Sequence, residues 1–188
     1  MDKHLTEQFI REHRTDDVRK LALSSHPQGI DMQYALTQIS GWQAAKSKIP
    51  LWGHTDGIIY PKHLPMEQCT SQYIADFKES AIVTKLGKGL RIADLTGGFG
   101  VDLFTLSRTA SSTCYNEISS ELCVIARNNF KVLGRPEINV ICGSAWFNSK
   151  NIVLKMLECI CFRHYFLPKS LLKAFTSLLI SSSSRVGS

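Results

Sequence analysis

A glycine-rich turn between an apolar run and a helical pattern is the feature that most constrains the fold of this chain. Residues 90–95 form a short apolar run of the length expected for a buried strand. The chain then breaks at TGGFG, residues 96–100, and resumes with apolar residues at helical spacing over 101–106. A strand, a glycine turn and a helix in this order open a nucleotide-binding α/β unit. Glycine permits the tight turn and lets a ligand approach the backbone without a Cβ in the way.

The spacing of the glycines leaves more than one ligand class open. A dinucleotide fingerprint needs Gly-x-Gly-x-x-Gly, and with Gly98 and Gly100 as its first pair, Leu103 stands where the third glycine belongs. This disfavours a NAD-dependent oxidoreductase, which stays an alternative. A second alternative is a non-catalytic fragment or interaction module that keeps the fold without turnover. In each case the helix after the turn is expected to direct its positive N-terminal end at the ligand.

An acidic residue at the strand end, Asp94, precedes the turn, and the sequence from Asp94 through Thr-Gly-Gly-x-Gly resembles motif I of class I S-adenosylmethionine-dependent methyltransferases. The resemblance implies S-adenosylmethionine as the cofactor. It places Gly97, Gly98 and Gly100 under the methionine and ribose parts of that cofactor. It also implies that Asp94 and Thr96 help to position it.

A second acidic residue follows the next apolar segment. Glu117 comes after the segment 113–115 and lies 20 residues beyond Gly97. An acidic residue at about this separation, at the end of the second strand, is where ribose hydroxyls are held. A carboxylate suits a vicinal diol because it accepts two hydrogen bonds from it. We therefore predict that Glu117 binds a ribose.

A longer series of segments resembles one bacterial group within these methyltransferases. The series is KIPLWG, GIIYPKHLPMEQCTSQYIADFK, the glycine turn, and then NEISSELCVIARNNFKVLG, and it falls within residues 5–145. Members of the group carry an N-terminal helical region, a methyltransferase core, and a C-terminal ferredoxin-like domain likened to the THUMP modules of RNA-modifying enzymes. The resemblance implies that the partner of the full-length protein is RNA. It places Tyr60, Gln68 and Thr70 near the methyl donor, and Ser144 beside the adenine.

Periodicity and the resemblance together divide the chain into three parts. Residues 1–88 are predicted to be a helical region that ends in the segment at the cofactor mouth, and 89–145 a partial Rossmann-like core with its first three strands. The fold class is therefore α/β, an incomplete class I methyltransferase core behind an N-terminal helical region. A helix over about 31–46 is expected to bury Tyr34, Ala35, Ile39 and Trp42. A later helix that ends near Gly87 is expected to bury Tyr73, Ile74, Phe77 and Ala81.

The third part, residues 146–188, does not resemble the family. It has one acidic side chain among its forty-three residues and a serine run at 181–184. The catalytic element that the resemblance places after a fourth strand, Asp/Asn-Pro-Pro-aromatic or Asp-Pro-x-Arg, occurs nowhere in the chain. No catalytic residue is therefore predicted, and we interpret 146–188 as a truncated or out-of-frame continuation. A sheet that stops after three strands would have an exposed edge.

Composition adds the remaining expectations. An apolar fraction of 44% and a charged fraction of 20% are ordinary for a globular protein. No run is long enough for a membrane helix and no secretory signal is visible, so neither a membrane partner nor export is predicted. Six cysteines, mostly in apolar stretches, indicate reduced thiols in a cytoplasmic protein.

Neither the cysteine pattern nor the net charge indicates a further site. The cluster of Cys159, Cys161 and His164 fits no standard zinc spacing, so no metal is predicted. The net charge of +6 comes mainly from residues 146–188, which hold six basic side chains and one acidic one. The remainder of the chain is nearly neutral, and its charge gives no indication of a nucleic-acid surface.

Overall fold

The computed structural model describes residues 1–144, 159–162 and 165–168, which form a helical region followed by a mixed sheet with helices. The helices are α1 (Lys3–Glu12), α2 (Val18–Leu23), α3 (Met32–Lys48), α4 (Pro50–Gly53), α5 (His63–Gln68), α6 (Gln72–Leu86), α7 (Val101–Leu106) and α8 (Ser120–Val132). The strands are β1 (Arg91–Asp94), β2 (Ser112–Glu117), β3 (Asn139–Cys142), β4 (Cys159–Phe162) and β5 (Tyr165–Pro168).

Side-chain caps set the starts of five helices. Asp2, Asp17, Asp31, Ser71 and Ser119 each accept a hydrogen bond from a backbone N–H in the first turn of the helix that follows. Such caps satisfy N–H groups that have no partner within the helix. The start of α3 therefore lies where the sequence predicts it. None of the helices in the described part of the chain is long and apolar enough to cross a membrane.

The sheet has the strand order β3-β2-β1-β4-β5. Strands β3, β2, β1 and β4 run parallel, and β5 pairs antiparallel with β4. The three predicted strands are confirmed, and β4 adds to the free side of β1, so β1 is an interior strand. Strands β2 and β3 lie on one side of β1, and β4 lies on the other, so the strand order reverses at β1. Ligands of open α/β sheets bind in the crevice at such a reversal.

Most of the tail, by contrast, lies outside the described residues. In 146–188 only the backbone of β4 and β5 is described. The interpretation of that segment as out of frame therefore stays a prediction, as does the division at residues 88 and 145.

The predicted inner face of α6 is wrong. The four residues assigned to it are exposed, with Tyr73 at 79% and Phe77 at 64%. The buried residues of α6 are instead Ala75 and Ile82. The inner side of the helix carries Lys78, whose ammonium pairs with Asp102 of α7. Because this side is marked by a small residue and a paired charge, apolar periodicity does not identify it.

The prediction for α3 is correct for its two smaller apolar residues. Ala35 and Ile39 are fully buried. Tyr34 is 41% exposed, so its predicted burial is wrong. Trp42 is half-buried, and its indole N–H donates to the carbonyl of Gly53 at 2.9 Å, which ties α3 to α4.

Two buried side-chain amides hold the extended segment 58–61 that leads towards the sheet. Gln38 on α3 donates to the carbonyl of Tyr60 at 2.9 Å and accepts from its N–H at 2.8 Å. Asn129 on α8 makes the same pair of bonds with Ile59, both at 2.9 Å. Each amide satisfies two main-chain groups, as an adjacent strand would. The segment is therefore fixed between the helical region and the sheet domain.

The substitution Asn129→Ala is expected to lower the free energy of unfolding by about 2–4 kcal/mol, since it removes the partners of the N–H and C=O of the half-buried Ile59. Urea denaturation followed by circular dichroism measures this. The control is Asn128→Ala, because Asn128 is half-buried and donates only to the Gly57 carbonyl and the Asn129 amide. The control is expected to lose about 1 kcal/mol or less. Equal losses in the two variants would show that the Asn129 amide does not hold the segment 58–61 in place.

Candidate functional site

A cavity of about 460 Å³ opens at the carboxyl ends of β1, β2 and β3, at the reversal of strand order. Its wall includes residues 94–102 from the glycine turn and the start of α7, and 116–118 from the end of β2. Residues 143–144 after β3, and residues 68–70 at the end of α5 and directly after it, also line the cavity.

The cavity brings together all but one of the predicted site residues. Those that line it are Gln68, Thr70, Asp94, Thr96, Gly97, Gly98, Gly100, Glu117 and Ser144. They come from four separate stretches of sequence that the sheet and the α5–α6 connection assemble. Their role in cofactor binding stays a prediction.

Tyr60 is the exception, because it is not part of the described lining of the cavity. Its side chain is buried, its hydroxyl donates to the carbonyl of Trp52 at 3.3 Å, and its ring centroid lies 6.2 Å from that of Phe99. Burial raises the pKa of its phenol to about 12. The ring also covers Gly41, where an added Cβ would lie 2.3 Å from the Tyr60 Cβ. Tyr60 therefore supports the cavity wall from within the core.

The backbone amides of the glycine turn are bonded within the protein. Two N–H groups donate to carboxylates at 2.9 Å, Thr96 to Asp94 and Gly98 to Glu117. Two others donate to backbone carbonyls, Gly97 to Asn116 at 2.8 Å and Gly100 to Gly97 at 2.9 Å. The sequence predicts a positively polarised turn that faces a ligand. The structure corrects this, since these four donors are occupied and two of their acceptors are carboxylates.

The glycines of the turn are required mainly by the core beneath them. A Cβ on Gly97 would lie 2.1 Å from the Tyr115 ring, and one on Gly100, at φ 93°, would lie 2.8 Å from the Phe130 ring. Gly98 has φ 56°, which favours glycine, but only the Thr96 carbonyl lies within 4 Å of a Cβ built there. Both rings are buried and lie outside the cavity lining. The cavity itself therefore stays open above the turn.

The charged side chains that the structure describes in the cavity wall are three carboxylates, Asp94, Asp102 and Glu117. Lysine, arginine and histidine are absent from the described lining. Glu117 accepts the Gly98 N–H with Oε2 and the Ser119 N–H with Oε1, both at 2.9 Å. The carboxylate therefore faces the glycine turn. A wall of this kind favours a ligand with positive charge and hydrogen-bond donors.

Asp94 is the most deeply buried of the three carboxylates. Burial raises its pKa to about 7, the Thr96 N–H bond opposes the rise, and the charge of Asp102 adds to it. The charge of Lys78 lowers this pKa. Near neutral pH the carboxyl is thus divided between its protonated and ionised forms, and a cation in the cavity would favour the ionised form.

Asp102 is a site residue that the sequence analysis missed. Its Oδ2 accepts from the Thr70 hydroxyl at 2.7 Å and from the Lys78 ammonium at 2.8 Å. The Lys78 ammonium is also 3.3 Å from the Thr70 hydroxyl oxygen. We refer to Thr70, Lys78 and Asp102 as the charge cluster. The available signal was an acidic residue in the first turn of the helix after the glycine turn.

No group of three or more His, Cys, Asp or Glu side chains arranged to hold a metal occurs among the side chains that are described. Cys159, Cys161 and His164 lie outside those side chains. The prediction about that cluster is therefore not tested.

No protein-family model matches the sequence, and no curated protein matches it either. Among solved structures, a protein from Porphyromonas gingivalis W83 assigned as a methyltransferase is similar, with a TM-score of 0.66 and 25% identity over 86% of this chain. The match covers 41% of that protein, so this chain spans about two fifths of its length. The predicted fold class is confirmed as an incomplete Rossmann-like methyltransferase core preceded by a helical region.

Two further methyltransferase structures match less well. The O-methyltransferase from Bacillus cereus in complex with SAH is 17% identical, with a TM-score of 0.44 over 67% of this chain and 60% of that one. A protein-L-isoaspartate O-methyltransferase is 18% identical, with a TM-score of 0.37 over 76% of this chain and 43% of that one. Scores this low carry no argument about the site.

The substitution Asp94→Asn is expected to stabilise the protein at neutral and higher pH. The native carboxyl holds its proton up to about pH 7, whereas the unfolded chain releases it near pH 4, so native stability falls as pH rises between these values. Asparagine keeps an acceptor for the Thr96 N–H and has no charge to bury. The gain in unfolding free energy is expected to reach roughly 2–4 kcal/mol at about pH 8.

Urea titrations between about pH 5 and pH 8 test this, because the gain should grow with pH across that range. The control is Asp76→Asn, since Asp76 is a partly exposed carboxylate on α6 that pairs with Arg108. Parallel stability profiles for the wild type and Asp94→Asn would contradict the raised pKa.

Proposed function

We propose that this chain binds S-adenosylmethionine in the cavity at the ends of β1, β2 and β3 and forms part of a methyltransferase. The acidic lining is the observation that carries the proposal. S-Adenosylmethionine has a positive sulfonium and a positive ammonium against one carboxylate. A nicotinamide dinucleotide has a negatively charged pyrophosphate, which three carboxylates would repel. The occupied amides of the glycine turn also leave fewer donors for a phosphate.

The ribose and the adenine fit the side of the cavity formed by β2 and β3. Each oxygen of the Glu117 carboxylate accepts one N–H, which leaves lone pairs free to accept from the two ribose hydroxyls. Ile118, 74% exposed, and the half-buried Leu122 line the same side and offer apolar surface to a planar base. Ser144 also lines the cavity and suits the polar edge of that base.

When bound, S-adenosylmethionine supplies a methyl group on a sulfonium, so the protein's task is to position and shield it. In this proposal Asp94 provides the negative charge beneath the reacting end, and the turn at 96–100 forms the floor. Gln68 and Thr70 close the mouth above it. No residue of the chain is assigned as a general base. We expect the chain to bind the cofactor without transferring its methyl group, since the catalytic proline motif of the family is absent from the sequence.

RNA is the proposed substrate of full-length relatives, on the strength of the sequence resemblance alone. A cytoplasmic location accords with the free thiols of Cys69, Cys114, Cys123 and Cys142. The alternative of a NAD-dependent enzyme is weakened further by Leu103. This residue is fully buried in the core where a dinucleotide site would have its third glycine.

Isothermal titration calorimetry with S-adenosylhomocysteine and with NAD tests the proposal. S-Adenosylhomocysteine is expected to bind, whereas NAD at the same concentration is not expected to bind. Glu117→Gln is expected to weaken binding of S-adenosylhomocysteine about tenfold or more, because hydrogen bonds to a charged acceptor are worth more than about 1.4 kcal/mol. Glu121→Gln is the matched control, because Glu121 is an exposed carboxylate in the first turn of α8, and this variant should bind as the wild type does.

Binding of NAD without binding of S-adenosylhomocysteine would overturn the proposal. A second measurement addresses turnover, using labelled S-adenosylmethionine and total cellular RNA. The expected result is cofactor binding without label in the RNA. Labelled RNA would confirm the methyltransferase assignment and contradict the expectation that this chain is inactive.

A further inference from the structure

The charge cluster contains a buried oxygen whose hydrogen-bonding capacity is unused. Both donors in the cluster, the Thr70 hydroxyl and the Lys78 ammonium, bond to Oδ2 of Asp102. The other oxygen, Oδ1, is enclosed, and no residue that the structure describes forms a hydrogen bond with it. A buried carboxylate oxygen without a partner is destabilising and needs an explanation in a folded protein. A ligand that donates to Asp102 supplies one.

The position of Asp102 relates this oxygen to the cavity. The residue lies at the start of α7, directly after the glycine turn, and is part of the cavity wall together with Thr70 and Asp94. Its side chain is 16% exposed. The Cβ–Cγ torsion of an aspartate is soft, so a partial rotation about it can turn the carboxylate towards the cavity without moving the backbone. A donor in the cavity can therefore reach the carboxylate.

The charges around the site select the kind of donor. Burial is the main cause of the raised pKa of Asp94, while Asp102 raises it further and Lys78 lowers it, so these three charges interact. Lys78 is one cation against the two carboxylates Asp94 and Asp102. An added cation would restore the balance at this end of the cavity.

We propose that Asp102 accepts a hydrogen bond from the α-ammonium of the amino-acid end of the cofactor, and that Thr70 and Lys78 hold the carboxylate in place for it. This inference rests on the proposed function. It gives Asp102 a direct contact with the cofactor and makes Thr70 and Lys78 positioning residues. It also assigns a purpose to the connection between α5 and α6, because Thr70 brings that connection to the amino-acid end.

A double-mutant cycle between the protein and the ligand tests the contact. The two ligands are S-adenosylhomocysteine and its deamino analogue, which keeps the carboxylate and lacks the ammonium. The wild type is expected to bind the complete ligand about tenfold or more tightly than the deamino analogue, as is typical of charged hydrogen bonds. Asp102→Asn is expected to bind the two ligands within about twofold of each other.

The matched control is Asp76→Asn, which removes a paired carboxylate from α6 away from the cavity lining and should keep the wild-type preference. Thr70→Val should reduce the preference, and Thr70→Ser should restore it because serine keeps the hydroxyl. An Asp102→Asn variant that weakens both ligands equally, or retains the preference, would overturn the inference while leaving the adenosyl site intact. Failure of the wild type to bind either ligand would overturn the proposed function and the inference together.

Discussion

The peptide unit on which the cavity depends is that of Gly98. Its N–H donates to the Glu117 carboxylate at 2.9 Å, and its carbonyl accepts from the Tyr115 hydroxyl at 2.5 Å. Both side chains come from β2, whose parallel pairing with β1 places Tyr115 opposite Asp94. The strand register therefore fixes the glycine turn through both its Gly98 N–H and its Gly98 carbonyl. It also determines that the acidic ends of the two strands, Asp94 and Glu117, face one cavity.

The same bonds decide the charge preference of the cavity. A glycine turn at the start of a helix binds phosphate when its N–H groups point outward. Here four of them are bonded inside the protein, and carboxylates accept two of the four. The turn thus keeps the shape of a nucleotide-binding loop while the surrounding charge is negative. An adenosyl group that carries a cation fits both the shape and the charge of the cavity. A pyrophosphate fits the shape of the turn but not the negative charge around it.

The sequence reveals the parts of the site that depend on short-range patterns. The glycine turn, Asp94 before it and Glu117 at the end of the next strand are set by local spacing and by the β-α-β order. Tertiary packing, rather than local spacing, determines the positions of Tyr60 and Asp102 and the inner face of α6. The Tyr60 ring gains more from burial beside Phe99 than from an open mouth. Asp102 and Lys78 are far apart in the sequence and meet only after α6 packs on α7, so neither was predictable from periodicity.

The buried carboxyl of Asp94 is understandable only together with a cationic ligand. Burial of its charge is unfavourable, as its pKa of about 7 reflects, and an asparagine would make the same bond to the Thr96 N–H. A fold selected for stability alone would therefore gain from the neutral residue. A cation beside Asp94 changes the balance, because it favours the ionised carboxylate and lowers its pKa. Ligand binding and proton release are then linked, and the unfavourable charge in the free protein becomes attraction in the complex.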